Sequence, residues 1–474
     1  MSLKKNFVYS SILTASTYLI MIIVYPYLSR TLGLTNIGIV NFIDNLVNYF
    51  VYVSMMGITT VGVREIAAVR NKRQRLSKVF ISLLSLTGIT TILAILALWI
   101  AMYTVPTLAP YRDLLYVGLI KLVFNLFLME WFFIGMEDFK YITQRSLLVK
   151  FLFVASVFIF VRESSDYKLF FILSVSTVVI NALVNLIYSR RFVTYSFKDI
   201  DIRPFWISFI TMGIYVLLTN VYTSLNVVWL GFVTDTDQVG YFTTAIKLHT
   251  IIMAILTSFS NILFPRVSNL LAEGNKEEYW TKINTSFDAI FLFAFPTICF
   301  MLTAGPELLH IFVGDGFEGA YLPLRIIAPL VLIIGIEQIL VIQILMAMHQ
   351  DNIVLCNSFI GAVVALLLNI LLTASMGASG SAVVWIITEC VIMIASMIII
   401  YSKYQYIMPF RRLLAYCAAY APLLLASVAL YYFIDNGYVL IVMVGLLTLI
   451  YMAFTELIVL KNNIARQILK LPKS

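Results

Sequence analysis

The chain has 474 residues, of which 61% are hydrophobic and 12% charged, with a formal net charge of +8. Soluble proteins carry about 25% charged residues, so this composition excludes a soluble globular domain. The excess positive charge sits in short segments between apolar runs, where orientation signals belong, which argues against nucleic acid as a partner.

Apolar runs of about 20 residues recur from end to end, each long enough to cross a bilayer core, and lipid-facing backbone must be helical. The pattern predicts an all-α integral membrane protein with fourteen transmembrane helices. They lie near 7–29, 37–63, 79–102, 114–134, 146–161, 167–188, 205–232, 239–264, 285–303, 322–347, 352–373, 378–401, 413–433 and 437–460. The first run follows Lys4 and Lys5 as a signal peptide would. It is too long and lacks an A-x-A-like cleavage site, so it reads as a retained helix. Cys299, Cys356, Cys390 and Cys417 all fall within apolar runs, which predicts neither disulfides nor a metal site.

Alternating the connections from a cytoplasmic N-terminus gathers 25 of the 32 Lys and Arg on the inner side. The inner segments include Arg64 to Lys78, Lys140 with Arg145 and Lys150, Arg190 to Arg203, and the tail. Both termini are therefore expected in the cytoplasm. Arg30, at the end of the first run between Pro26 and Gly33, then lies on the outer side, against the bias.

A shift of 202 residues lays the first two helices on the seventh and eighth, pairing Gly38 with Gly240 and Arg64 with Arg266. Polar residues strengthen the repeat. Asn41, Asn45, Asn48, Tyr52 and Thr59 share one face of the second helix, and Thr243, Lys247, Thr250, Thr257 and Asn261 occupy the equivalent face of the eighth. The seventh carries Ser208, Thr211, Tyr215, Thr219, Tyr222 and Asn226, and the first Asn6, Ser10, Thr14 and Thr17. Singly, such residues glue helices together. Four long polar faces related by one offset fit a water-filled cavity between two six-helix halves, with the last two helices as an appendix.

Ionisable groups within spans are expensive and each needs an account. The cations are Arg30, Arg64, Lys121, Lys247 and Arg266; the anions are Asp44, Glu130, Asp288, Glu337, Glu389 and Glu456. Lys247 lies on the polar stripe about two turns inside its helix and is the leading candidate. Arg64 and Arg266, at equivalent helix ends, read equally as snorkelling anchors or as ligands. Lys121 is expected to reach outward to the interface. Asp44 is expected to pair with Lys247 or Arg30, and Glu130 and Glu337 to neutralise cations or carry protons. Cations with Asn, Thr and Tyr stripes suit a phosphorylated, sugar-bearing substrate. The sugar face would comprise Asn41, Asn45, Asn48, Thr219, Tyr222 and Asn226.

No G-x-x-x-x-G-K-[ST] loop is present, and His249, His310 and His349 lack ligand spacing, so no nucleotide, cofactor or metal is expected. The chief enzymatic alternative is a membrane polysaccharide polymerase or acyltransferase. Here the outer segments are short, and His310 with Glu307, Asp315 and Glu318 reads as a solvated turn.

The segments NFVYSSILTASTYLIMIIVYPYLSRTLGLTNIGIVNF, GITTVGVREIAAVRN, EWFFIGMEDFKYITQRS, VGYFTTAIKL and GASGSAVVWIITE resemble the bacterial polysaccharide transporter family. It contains Wzx-type O-antigen and capsule-repeat flippases, within the multidrug/oligosaccharidyl-lipid/polysaccharide exporter superfamily. The resemblance covers essentially the whole chain. It implies two pseudo-symmetric six-helix lobes, 1–195 and 196–402, around a cationic cavity, and two extra helices with the tail in 403–474. It further implies alternating access in the bacterial inner membrane. The substrate would be an undecaprenyl-diphosphate-linked oligosaccharide, the protein a non-enzymatic monomer, and its partners membrane lipid, a polysaccharide polymerase and chain-length proteins. Arg30 matches the family's P-Y-x-S-R motif, whereas Lys247 stands on position alone. Lipid II flippases and cation-coupled multidrug exporters are the relatives by fold. The latter use a first-helix carboxylate, and Phe7 to Leu28 contains none.

Overall fold

A computed structural model describes residues 3–196, 200–460 and 462, without the side chains of 3, 4, 7, 255, 258–266, 268 and 272. The described elements are helical throughout, with no strand among them. Ten helices are long and apolar enough to cross a membrane, or eleven when the bent pair Glu318–Ile327 and Leu330–Met346 counts as one. The chain forms two compact units, Met1–Gly240 and Tyr241–Ser474.

The first unit is organised around α1 (Leu3–Met55), which breaks at Gly33 with φ 77° and ψ 170°. Only glycine takes that conformation without strain. Pro26, seven residues earlier, lacks the N–H that would close its helical turn. Two distant bonds clamp this weak point: Tyr27 Oη donates to the Val161 carbonyl at 2.6 Å, and Asn36 Nδ2 to that of Ser164 at 2.8 Å. α2 (Ile58–Val69) packs on α3 (Arg73–Thr104) and α5 (Glu130–Gly135), while α3, α4 (Arg112–Asn125), α6 (Phe139–Phe160) and α7 (Tyr167–Ser189) pack on α1. They are joined by α8 (Arg203–Asn220) and α9 (Asn226–Val233), linked by a π-helical turn at Val221–Leu225. α8 and α9 both pack on α1. The glycines paired by the 202-residue offset meet here. A Cβ on Gly38 would stand 1.8 Å from the Thr236 carbonyl oxygen and 3.2 Å from the Gly240 nitrogen, so no side chain fits.

The second unit continues α10 (Thr236–Ala272) and adds α11 (Lys276–Thr303), α12 (Gly305–Val313), α13 (Tyr321–Ile327), α14 (Leu330–Gln338), α15 (Asp351–Leu368) and α16 (Ala374–Tyr404). α16 breaks near its start at Gly377, φ 55°. Three stretches widen into π-helix: Ile339–Met346, Asn369–Thr373 and Thr455–Val459. The last helices, α17 (Phe410–Phe433) and α18 (Gly437–Phe454), are no loose appendix. Phe295 of α11 stacks on Tyr416 and Tyr420 of α17, with ring centroids 5.6 and 6.0 Å apart. Tyr420 and Tyr416 then donate to the two oxygens of Glu456, at 2.8 and 2.9 Å.

Candidate functional site

The second arm of α1 carries the clearest polar surface. Phe42, Ile43, Leu46 and Val47 are buried, whereas Asn41, Asp44, Asn45 and Asn48 between them are half-exposed. The amides of Asn41 and Asn45 donate back to the carbonyls of Ile37 and Asn41, at 2.9 and 2.8 Å, so their side-chain oxygens are the parts left for a ligand. Asp44 does not pair with Arg30. Lys121 of α4 reaches it instead, at 2.6 Å to Oδ1, and also donates to Asn48 Oδ1 at 2.7 Å. Lys121 is therefore an inward-facing partner of the stripe rather than an interfacial anchor. An ammonium within an apolar span gains more from a carboxylate on the adjacent helix than from snorkelling.

α8 brings its own stripe beside α1. Tyr215, Thr219 and Tyr222 are half-exposed, as helical periodicity predicts, but Asn226 is fully buried. The π turn at Val221–Leu225 adds a residue to the helical path, and everything beyond it rotates off the stripe. Asn226 is thus a packing residue of this arrangement and not part of the accessible face.

The motifs around Arg64 and Trp131 form a structural knot. Gly62 lies under Trp131, where an added Cβ would sit 2.5 Å from the indole, and Gly135 lies equally tightly under Ile66. Glu137 pairs with Arg70 at 2.6 Å, and Asp138 caps α6 while accepting from Tyr188 Oη at 2.9 Å. Nearby, burial pushes the Tyr195 phenol above its usual range. Arg64 points away from this knot, is largely exposed, and pairs with its neighbour Glu65 at 2.9 Å. Arg30 is exposed at the end of α1's first arm.

Residues assigned to an inner connection are helical instead. α6 begins at Phe139, so Lys140, Arg145 and Lys150 all lie in it. Partners make this affordable. Arg145, 4% exposed, donates to Glu130 at 2.9 Å, to Ser146 at 2.9 Å and to Asn185. Lys150 crosses to α1 and donates to Ser16 Oγ and Thr17 Oγ1 at 2.8 and 2.7 Å. Thr17, Glu130, Ser146, Lys150, Thr177 and Asn181 line a cavity of about 400 Å³ within this unit. The only advance signal was Glu130, an anion inside a span that required a cation.

In the second unit Lys247 is half-exposed on α10, as is Asn45, its counterpart by the 202-residue offset. Thr250 shares that accessible face, whereas Thr243 is buried. The side chains of Arg266 and Asn261 lie outside the described residues. Asp288 is claimed by Arg412, which donates to both its oxygens at 2.9 and 2.8 Å. Among the described residues Glu337, half-buried on α14, forms no ion pair, and Glu389 of α16 accepts from the Trp385 indole N–H at 2.9 Å. His310, Asp315 and Glu318 gather at an exposed turn, where Glu318 accepts from the Gly316 N–H at 3.0 Å.

A sequence profile described as polysaccharide biosynthesis protein matches residues 3–271, more than half of the chain. The chain belongs to that family. As a polysaccharide biosynthesis protein it is 24% identical over 408 residues to "Putative O-antigen transporter" of Escherichia coli (strain K12), covering 83% of this chain and 95% of that relative. Its fold matches a solved structure titled "Lipid II flippase MurJ, inward closed conformation" with a TM-score of 0.74 at 12% identity, over 95% of this chain and 99% of that one. It also matches an inward-facing multidrug resistance transporter of the MATE family, within the MOP superfamily, with a TM-score of 0.60 at 14% identity, over 83% and 96% of the two chains. The curated relative is named as a transporter, and the chain shares its fold with these two solved structures.

Proposed function

We propose that this protein is a flippase that moves undecaprenyl-diphosphate-linked oligosaccharide repeat units from the inner to the outer leaflet of the bacterial cytoplasmic membrane. The half-exposed polar face of α1's second arm carries this reading: an apolar span spends one whole face on Asn and Asp side chains. Family membership and the fold likeness to a lipid II flippase support it. In this reading α1 and the continuous run α15–α16 each cross twice, about Gly33 and Gly377, and α10 and the bent α13–α14 pair each add a span, giving fourteen. Spans one to six (1–195) and seven to twelve (196–402) form two lobes that rock about a shared cavity, with 403–474 beside them and both termini cytoplasmic.

Arg30 and Lys247 take the diphosphate, because guanidinium and ammonium groups bind phosphate oxygens through charge-assisted hydrogen bonds. Asn41, Asn45, Asn48, Thr219 and Tyr222 meet the sugar hydroxyls, while the polyprenyl tail stays in lipid. Arg64, exposed beside Glu65, and its counterpart Arg266 attract the headgroup before it is bound.

The test is where lipid-linked repeat units collect in a strain lacking the gene. Accumulation on the cytoplasmic leaflet is the expected result; accumulation on the outer leaflet would replace the flippase by a polymerase. Arg30→Ala and Lys247→Ala should reduce surface polysaccharide at least about tenfold while the protein still accumulates in the membrane. Wild-type export from both would remove them from the site.

A further inference from the structure

The cavity of about 400 Å³ in the first unit is walled by the first arm of α1, by α6 and α7, and by Glu130 at the start of α5. Its charges do not balance. Glu130 and Lys150 line it, and Arg145 is paired with Glu130 at 2.9 Å, so two cations share one carboxylate. Among the described residues Lys150 forms no ion pair. Its ammonium donates to neutral acceptors: Ser16 Oγ at 2.8 Å, Thr17 Oγ1 at 2.7 Å and the Leu13 carbonyl at 3.3 Å. Thr17 belongs to the polar face of the first apolar run, which the contacts assigned above do not use. An excess positive charge within a bundle of membrane spans is costly, and an anion from outside the chain would offset it.

The rest of the wall says which anion. The volume is that of a small-molecule site and far exceeds one inorganic ion. On α7, Asn181 donates its amide N–H to the Thr177 carbonyl at 2.7 Å, and its Oδ1 has no hydrogen-bond partner. The Thr177 hydroxyl donates to the Ser174 carbonyl at 2.7 Å, which leaves its oxygen as an acceptor. Glu130 gives Oε1 to Arg145, and its half-exposed side chain keeps Oε2 as a further acceptor. These groups need hydroxyl donors. Leu13, Ile20, Val149 and Phe153 complete the lining with apolar surface, including one aromatic ring. Chloride or free phosphate would use the ammonium and little else. A pyranose bearing a carboxylate uses every part: the carboxylate meets Lys150, the ring hydroxyls meet the acceptors, and the apolar C–H face meets Phe153.

We propose that this cavity is a subsite for a carboxylate-bearing sugar, a hexuronate residue, with Lys150 as its anion receptor; its place in transport rests on the flippase reading above. Ser16 and Thr17 hold the ammonium in position from α1. The contact to the Leu13 carbonyl, at 3.3 Å, is longer than an ordinary N–H···O bond, and the ligand carboxylate replaces it with a charge-assisted one. Asn181 Oδ1 and Glu130 Oε2 then accept from ring hydroxyls. The diphosphate marks the lipid carrier and says nothing of the sugar. The cavity reads the sugar itself and prefers acidic glycans to neutral ones.

The deciding experiment is saturation-transfer NMR of the full chain in phosphatidylcholine nanodiscs. The probes are methyl β-D-glucuronide and methyl β-D-glucoside, which differ only in a carboxylate against a hydroxymethyl group. The glucuronide should bind at least about tenfold more tightly, as expected of one charge-assisted hydrogen bond. Lys150→Met should abolish that preference and Lys150→Arg should retain it. Asn181→Leu leaves all three charges in place and should weaken both probes by about tenfold. Absence of glucuronide binding, equal binding of the two probes, or a preference that survives Lys150→Met overturns the site. So does undiminished binding by Asn181→Leu. Loss of the glucuronide signal when the nanodiscs are made of phosphatidylglycerol would replace the sugar by a lipid headgroup. Binding needs no translocation, so a failure of the flippase reading in the leaflet experiment would leave these results standing by themselves.

Discussion

Glu130 and Glu389 are both glutamates inside apolar spans, and the two units satisfy them in different ways. Glu130 meets the guanidinium of Arg145, itself tied to Ser146 and Asn185. Glu389 accepts from a neutral donor, the Trp385 indole N–H, at 2.9 Å. A guanidinium is a permanent countercharge, because arginine does not lose its proton. The first arrangement joins α5 to α6 and α7; the second lies within α16.

The largest effect should come from breaking the permanent pair. Glu130→Ala leaves Arg145 buried without its anion, which should cost about 3 kcal/mol against chemical denaturation in mixed micelles. Replacing both partners by leucine and methionine should recover most of that loss. Failure to recover would mean that Arg145 is held mainly by Asn185. Asp44→Asn should come next. It keeps an oxygen for Lys121 but removes the charge, a loss of about 1–2 kcal/mol in the same assay. The smallest effect should be that of Glu389→Gln, within about 0.5 kcal/mol of wild type, because the amide oxygen still accepts the Trp385 N–H. A loss as large as that of Glu130→Ala would erase the contrast between the units.

Much of the fold was legible because it is written in local periodicity. The break at Gly33 followed from a glycine placed after Pro26, and the half-exposed Asn41, Asn45 and Asn48 followed from steps of four and three. The same rule failed at Asn226, since no sequence period announces the π turn at Val221–Leu225. It failed again at Arg145 and Lys150. Charge counting takes basic residues near a span end for loop residues unless their buried partners are known.

By itself the sequence determined the all-helical membrane class, the polar face of α1's second arm and the family, since each depends on composition or on residues close in the chain. Which charge meets which was decided only by the tertiary structure. Asp44 and Lys121 are 77 residues apart, and Asp288 and Arg412 are 124 apart. In an apolar interior an ionisable group takes whatever partner the packing brings within a few ångströms. That partner decides whether its charge is compensated.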